Sequence, residues 1–157
     1  GIPFIYYGEE LAMQGKLKNV DFTEDSEEPI QWYELGYGYG QTEWKGFKFN
    51  PVGTGRSVQA QSHDKNSFLS FVKKLILFRK ENIWIENAKI QILGKSKKSL
   101  SIKLSYQDKE ALVIYNFSSL KRVLCEENSN IFYINNFQRK GKEVILGPKS
   151  VLVIIRK

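Results

Sequence analysis

Two carboxylates stand side by side at Glu9-Glu10, directly after an apolar run at residues 2–7 and Gly8. Paired carboxylates do the work of glycoside hydrolysis, and retaining enzymes hold them about 5–5.5 Å apart across one scissile bond. Adjacent residues at a strand end point to opposite sides. Glu9 and Glu10 therefore do not converge on one bond, and they read as supports that hold loop backbone at the strand end. His63-Asp64 offers a lone imidazole beside a lone carboxylate. It reads as helix capping and surface, because one carboxylate cannot form the required pair. Cys125 sits in an apolar strand pattern and reads as a small core residue rather than a nucleophile. One His and one Cys make no metal site by the usual ligand counts.

Trp32, Tyr33, Tyr37, Tyr39 and Trp44 are interleaved with glycines. Aromatic rings have flat apolar faces and polar edges, which suits stacking on a sugar ring. The competing role is to pack their own loop onto neighbouring structure. Trp32, Trp44, Tyr37 and Tyr39 are the candidate sugar contacts. The Gly-Tyr-Gly-Tyr-Gly run at 36–40 lacks the following helix and lysine of a phosphate-cradling loop.

The elements that must position these groups follow from periodicity. Residues 2–7 form a short continuous apolar run closed by Gly8, as in a strand buried on both faces of a parallel barrel. Residues 14–66 show no sustained period, yet their aromatic content argues against disorder. Residues 67–82 place Phe68, Phe71, Val72, Leu75 and Phe78 at helical spacing on one face. Asp64, Asn66 and Ser67 are the candidate N-caps. Lys73, Lys74, Arg79 and Lys80 lie on the outer side or in the last turn, where positive charge suits the helix dipole.

From residue 88 the period changes to two. Ile90 to Ile92, Leu100 to Leu104, Ala111 to Phe117, Val123 to Cys125, Ile131 to Ile134, Val144 to Leu146 and Val151 to Ile155 read as short antiparallel strands. Turn signals separate them at Gly94, Gln107-Asp108, Ser118-Ser119, Asn128 to Asn130, Gly141 and Gly147-Pro148. The spacing predicts a small sandwich. The expected division is a strand, long loop and helix over residues 1–87, followed by an all-β domain over 88–157.

Composition narrows the partners. The chain has 157 residues with a net charge of +7. Its basic residues are scattered, and no zinc-knuckle spacing, RNA-recognition motif or basic helix appears, so nucleic acid is set aside. No run approaches the ~20 apolar residues that span a bilayer. A complete (β/α)8 barrel needs about 250 residues, so barrel elements here can only be part of one.

The opening string Gly1-Ile2-Pro3-Phe4-Ile5-Tyr6-Tyr7-Gly8-Glu9-Glu10-Leu11-Ala12-Met13 resembles the last barrel strand of the α-amylase family, glycoside hydrolase family 13. Glu28-Pro29-Ile30-Gln31-Trp32, Gly40-Gln41-Thr42-Glu43-Trp44 and Phe49-Asn50-Pro51 resemble segments that follow that strand. Leu77, Arg79, Lys80 and Asn82 resemble the last barrel helix, and Leu146 to Val153 the last sandwich strand. One departure stands out: the family's arginine aligns with Glu27, a charge reversal beside the cleft.

The resemblance implies an α+β fold class. The last strand, loop and helix of a (β/α)8 barrel would be followed by the antiparallel C-terminal sandwich. It also implies a parent that cleaves α-1,4-glucosidic bonds with retention, on α-glucan or malto-oligosaccharide. The parent's nucleophile, acid/base and assisting carboxylate would lie upstream, leaving no catalytic residue in this chain, which alone would be inactive. The family's Asn-His-Asp motif also lies upstream, so His63-Asp64 is not its counterpart. The resemblance allows calcium in the intact parent and assigns no cofactor or metal to this chain. A carbohydrate-binding or assembly module is the alternative. Residues 1–82 by themselves would expose an apolar patch, so the chain is expected to self-associate or to rearrange.

Overall fold

The computed structural model describes residues 2–15, 27–125, 130–133 and 137–156. The chain divides into two compact units, Gly1–Phe78 and Arg79–Lys157.

The first unit departs from expectation at its start. Residues 2–7 form no strand, and Ile2 and Phe4 are 81% and 89% exposed. A parallel strand takes its hydrogen bonds from neighbours, and no described strand pairs with this segment. The apolar run is present, but the ladder it is suited to is not. Gly8 turns the chain at φ 85°, a region that favours glycine. Glu9–Leu11 then form a 3-10 turn, not a strand end, and Leu11 is buried.

Among the described residues, 27–57 form an aromatic loop, and two helices come after it. The first, α1 (Val58–His63), was not apparent as a period because it has only six residues. Its cap is nevertheless explicit: the Ser57 hydroxyl accepts from the Ala60 N–H at 3.0 Å. Asp64 closes α1 as its C-cap. The second, α2 (Phe68–Glu81), fulfils the predicted helix. Ser67 caps it, its hydroxyl accepting from the Ser70 N–H at 3.1 Å and donating to the Gln61 carbonyl at 2.7 Å.

The inward face of α2 is shifted from the expected one. Leu69 and Phe78 are buried, Phe71, Val72 and Leu75 are half-buried, and Phe68 is exposed. Gln61 explains the first turn. Its amide oxygen accepts from the Leu69 N–H at 2.9 Å, and its amide nitrogen donates to the Leu11 carbonyl at 2.8 Å. Leu69, not Phe68, is thereby drawn toward the Gly8 turn.

In the second unit the last residues of α2 lead into a 3-10 turn over Ile83–Asn87, which buries Trp84. Among the described residues eight strands follow: β1 (Lys89–Lys95), β2 (Ser99–Tyr106), β3 (Lys109–Asn116), β4 (Arg122–Cys125), β5 (Asn130–Tyr133), β6 (Phe137–Lys140), β7 (Glu143–Leu146) and β8 (Ser150–Arg156). One sheet has the order β1-β2-β3-β8-β5 and the other β4-β7-β6. The described pairings are antiparallel, as alternation predicts. Phe-Gln-Arg-Lys at β6 carries no alternation, so periodicity gives no signal for this strand. The Cys125 side chain and residue 134 lie outside what is described.

Register explains the core. Ile114 pairs with Leu152, and Leu112 with Ile154, so these side chains share one face of the larger sheet. That face packs on Val144 and Leu146 of β7 and on Leu124. Asn116 anchors the sheet end, donating to the Gly147 carbonyl at 2.7 Å and the Leu120 carbonyl at 2.9 Å. β1 forms an edge and is exposed along its length. Lysines at both ends and an irregular register between Ile92 and Gly94 discourage further pairing there.

Candidate functional site

The aromatic loop is built on a buried polar clamp. Glu28 is buried, and an ionised carboxylate is tolerated there only if its oxygens are hydrogen-bonded. It accepts from the backbone N–H groups of Phe49 at 2.6 Å and Asn50 at 3.0 Å, and from Asn50 Nδ2 at 2.8 Å. Asn50 in turn meets Gln14 on both amide atoms: Nδ2 donates to its carbonyl at 2.8 Å and Oδ1 accepts from its N–H at 2.7 Å. Arg56 Nη1 also donates to Asn50 Oδ1 at 3.3 Å, and Gln31 Nε2 donates to the Asn50 carbonyl. One asparagine thus joins chain segments at residues 14, 28, 31 and 56.

A second set of bonds fixes residues 31–34 to the start of α1. The Val58 N–H donates to the Gln31 carbonyl at 2.8 Å, and the Gln59 N–H to the Trp32 carbonyl at 3.0 Å. Glu34 accepts from the Ser57 hydroxyl at 2.7 Å and the Gly55 N–H at 3.2 Å. Glu28 and Glu34 are thus committed to loop geometry. Neither role had a sequence signal beyond residue type.

Gln41 joins the two tryptophan-bearing segments. Its Oε1 accepts from the Trp32 N–H at 2.8 Å, and its Nε2 donates to the carbonyls of Ile30 and Thr42, each at 2.9 Å. Trp44 and Lys45 occupy the corner of a turn closed by Gly46 N–H donating to the Glu43 carbonyl at 3.2 Å. Tyr39 lies on the neighbouring turn, closed by the Gln41 N–H donating to the Gly38 carbonyl at 3.1 Å, and Tyr37 just before it. The Tyr33 hydroxyl donates to the Tyr39 carbonyl at 3.0 Å. Gly38 lies so close to the Tyr33 ring that an added Cβ would fall 2.3 Å from it. Trp32, Tyr37, Tyr39 and Trp44 are all exposed.

Charge gathers beside Trp44. Lys45 Nζ lies 4.9 Å from the Trp44 ring centroid and 3.6 Å from Glu27 Oε2. Burial, then the neighbouring Tyr6 and Glu27, holds the Tyr7 hydroxyl above its ordinary value. Glu27 thus acts electrostatically on the end of the apolar run as well as on the Trp44 turn.

The remaining candidates make local contacts. Glu9 accepts from the Tyr6 N–H at 3.2 Å, so one of the adjacent carboxylates holds local backbone. His63 Nδ1 lies 2.7 Å from the Gln59 carbonyl, within its own helix. A groove of about 450 Å³ is lined by Leu11, Arg56, Gln61, Asp64 and Phe68 among others, and by none of the four candidate aromatics. Among the described residues no group of three or more His, Cys, Asp or Glu could hold a metal ion, so no calcium ligand set is assigned here. None of the described helices is long and apolar enough to cross a membrane.

Comparison with known proteins finds relatives of the chain. The family model described as the catalytic domain of α-amylase matches residues 1–88. The chain is 31% identical over 159 residues to α-amylase 3 of Dictyoglomus thermophilum, across 98% of this chain and 31% of that protein. It is 37% identical over 126 residues to the 4-α-glucanotransferase of Thermotoga maritima, across 80% of this chain and 28% of that protein. Its fold matches the crystal structure of the α-amylase from H. orenii with a TM-score of 0.80 at 26% identity, covering 100% of this chain and 33% of the other. The chain thus spans about a third of the length of relatives that it matches almost end to end.

Proposed function

Because the chain belongs to the α-amylase family, glycoside hydrolase family 13, we propose that it acts as the C-terminal part of an enzyme on α-1,4-linked glucans or malto-oligosaccharides. Relatives named as an α-amylase and as a 4-α-glucanotransferase support a parent that transfers a glucosyl chain to water or to another sugar. In this reading residues 1–87 complete a (β/α)8 barrel, and residues 88–157 form the sandwich that follows it. The nucleophilic and acid/base carboxylates of a retaining mechanism come from the remainder of the parent. Trp32, Trp44, Tyr37 and Tyr39 contribute sugar contacts, and Glu9 and Glu10 support the end of the opening strand.

The carrying observation is the exposed apolar segment at residues 2–7. It has the composition of a barrel strand and no described strand beside it. Partner strands supplied by the rest of an enzyme would satisfy its backbone and cover its side chains.

The test is complementation. The upstream coding frame is expressed as a separate polypeptide and mixed with this chain, and maltoheptaose turnover is followed. Each piece alone is expected to be inactive, and the mixture active. Turnover by the purified 157-residue chain alone, or no turnover by a mixture that forms a complex, would overturn the reading.

The exposed aromatics favour one alternative, a carbohydrate-binding module derived from such an enzyme. It predicts amylose binding by this chain, lost on Trp44→Ala, with no gain of activity on mixing.

A further inference from the structure

We infer that Lys45 and Glu27 form a clamp for sugar hydroxyls beside Trp44, which makes Lys45 a specificity-determining residue at that ring. This rests on the α-glucan reading above and names the groups that make its polar contacts. Trp44 and Lys45 are the two corner residues of the Glu43–Gly46 turn, so ring and ammonium are presented together by backbone geometry. Lys45 lies over the Trp44 ring, with its ammonium 4.9 Å from the centroid. It therefore occupies one face of the indole. Trp44 is 58% exposed, so more than half of its surface stays open to a ligand.

Glu27 holds the ammonium in place, 3.6 Å away. The Lys45 side chain is only 24% exposed, which restricts how far it can sweep. Surface ion pairs of this kind contribute little to stability. The chemistry of this arrangement does match a sugar. A pyranose offers an apolar face of C–H groups to an aromatic ring, and hydroxyls at its rim. Those hydroxyls both donate and accept. An ammonium supplies donors and a carboxylate supplies acceptors, so the pair can engage one hydroxyl or two adjacent ones. Hydrogen bonds to charged groups are the stronger class. The linkage sets how successive glucose rings are turned, so a β-linked chain stacked on Trp44 would present its hydroxyls away from the pair.

The 157-residue chain is titrated with maltoheptaose and, separately, with cellohexaose, by calorimetry and by tryptophan fluorescence. Lys45→Met and Glu27→Gln are each expected to weaken maltoheptaose binding about tenfold, about 1.4 kcal/mol. They should weaken cellohexaose binding little, so selectivity collapses. Lys45→Arg keeps the charge and should retain most of the affinity. Unchanged far-UV circular dichroism confirms that the variants are folded. If Trp44→Ala abolishes binding while Lys45→Met and Glu27→Gln bind and discriminate like the wild type, this inference fails and the α-glucan reading stands. If the unmodified chain binds no maltoheptaose, or Trp44→Ala binds as well as wild type, the Trp44 sugar contact fails and the clamp with it. Complementation can still succeed in that case, because it does not depend on this ring.

Discussion

Asn50 meets Glu28 twice, donating its backbone N–H to the carboxylate at 3.0 Å and its Nδ2 at 2.8 Å. The same side chain bonds both backbone groups of Gln14. A buried acceptor left without its donor incurs its full desolvation cost, about 1–3 kcal/mol and more for a charge. Asn50→Ala is expected to destabilise the first unit by about 3 kcal/mol. Asn50→Asp should be at least as damaging, because it sets a second carboxylate against Glu28. Urea unfolding followed by tryptophan fluorescence reads both, and a midpoint equal to wild type would contradict the clamp.

The amide of Gln41 uses both ends, accepting from Trp32 and donating to Ile30 and Thr42. Gln41→Glu replaces the donor with an acceptor that faces two carbonyls. We expect a loss of about 1–3 kcal/mol and faster proteolysis within residues 30–46. Gln41→Met, which only removes the bonds, should be milder. Equal cleavage rates for all three proteins would rule out this bridging role.

Alkaline titration tests the surroundings of Tyr7. Burial, then Tyr6 and Glu27, raises its pKa above the ordinary value of 10.0. The folded state therefore holds this proton more tightly than the unfolded state does. The resulting stabilisation is complete below the unfolded value and is lost as pH rises through the folded one. In tyrosinate absorbance, Tyr7→Phe should remove a late-titrating component, and Glu27→Gln should move that component to lower pH. A titration curve identical to wild type in Tyr7→Phe, after allowing for one fewer tyrosine, would contradict the raised value.

Leu152 is fully buried in the sandwich core, packed with Ile114, Val144, Leu146 and Ile154. Leu152→Ala leaves a cavity there and should cost about 2–5 kcal/mol. Amide exchange in β3 and β8 should accelerate accordingly, while the bonds of the Asn50 clamp stay protected. Unchanged exchange in both strands would mean that this core does not hold the sheet.

Ile2, Phe4, Ile5 and Tyr6 expose apolar surface along an unpaired segment. The chain by itself should self-associate through it. Ile2→Ser with Phe4→Ser should shift the protein toward monomer in sedimentation velocity. A wild-type chain that remains monomeric at high concentration would show that the segment is covered in some other way.

Local chemistry was legible in the residues alone. The alternation from residue 88 determined the antiparallel strands because one face of each must be apolar and the other wet. The spacing of Phe71, Val72, Leu75 and Phe78 determined α2 because a helix returns the same face every three to four residues. The opening motif determined the family. Long-range partners were decided only in three dimensions. Residues 2–7 carry a strand's composition, but a parallel ladder depends on neighbours that no property of the segment itself supplies. The loop at 27–56 has no period, so the joining roles of Glu28, Gln41 and Asn50 emerged only once folding brought distant backbone groups within hydrogen-bonding reach. The shift of α2 toward Leu69 has the same origin, because Gln61 draws that turn inward from eight residues away.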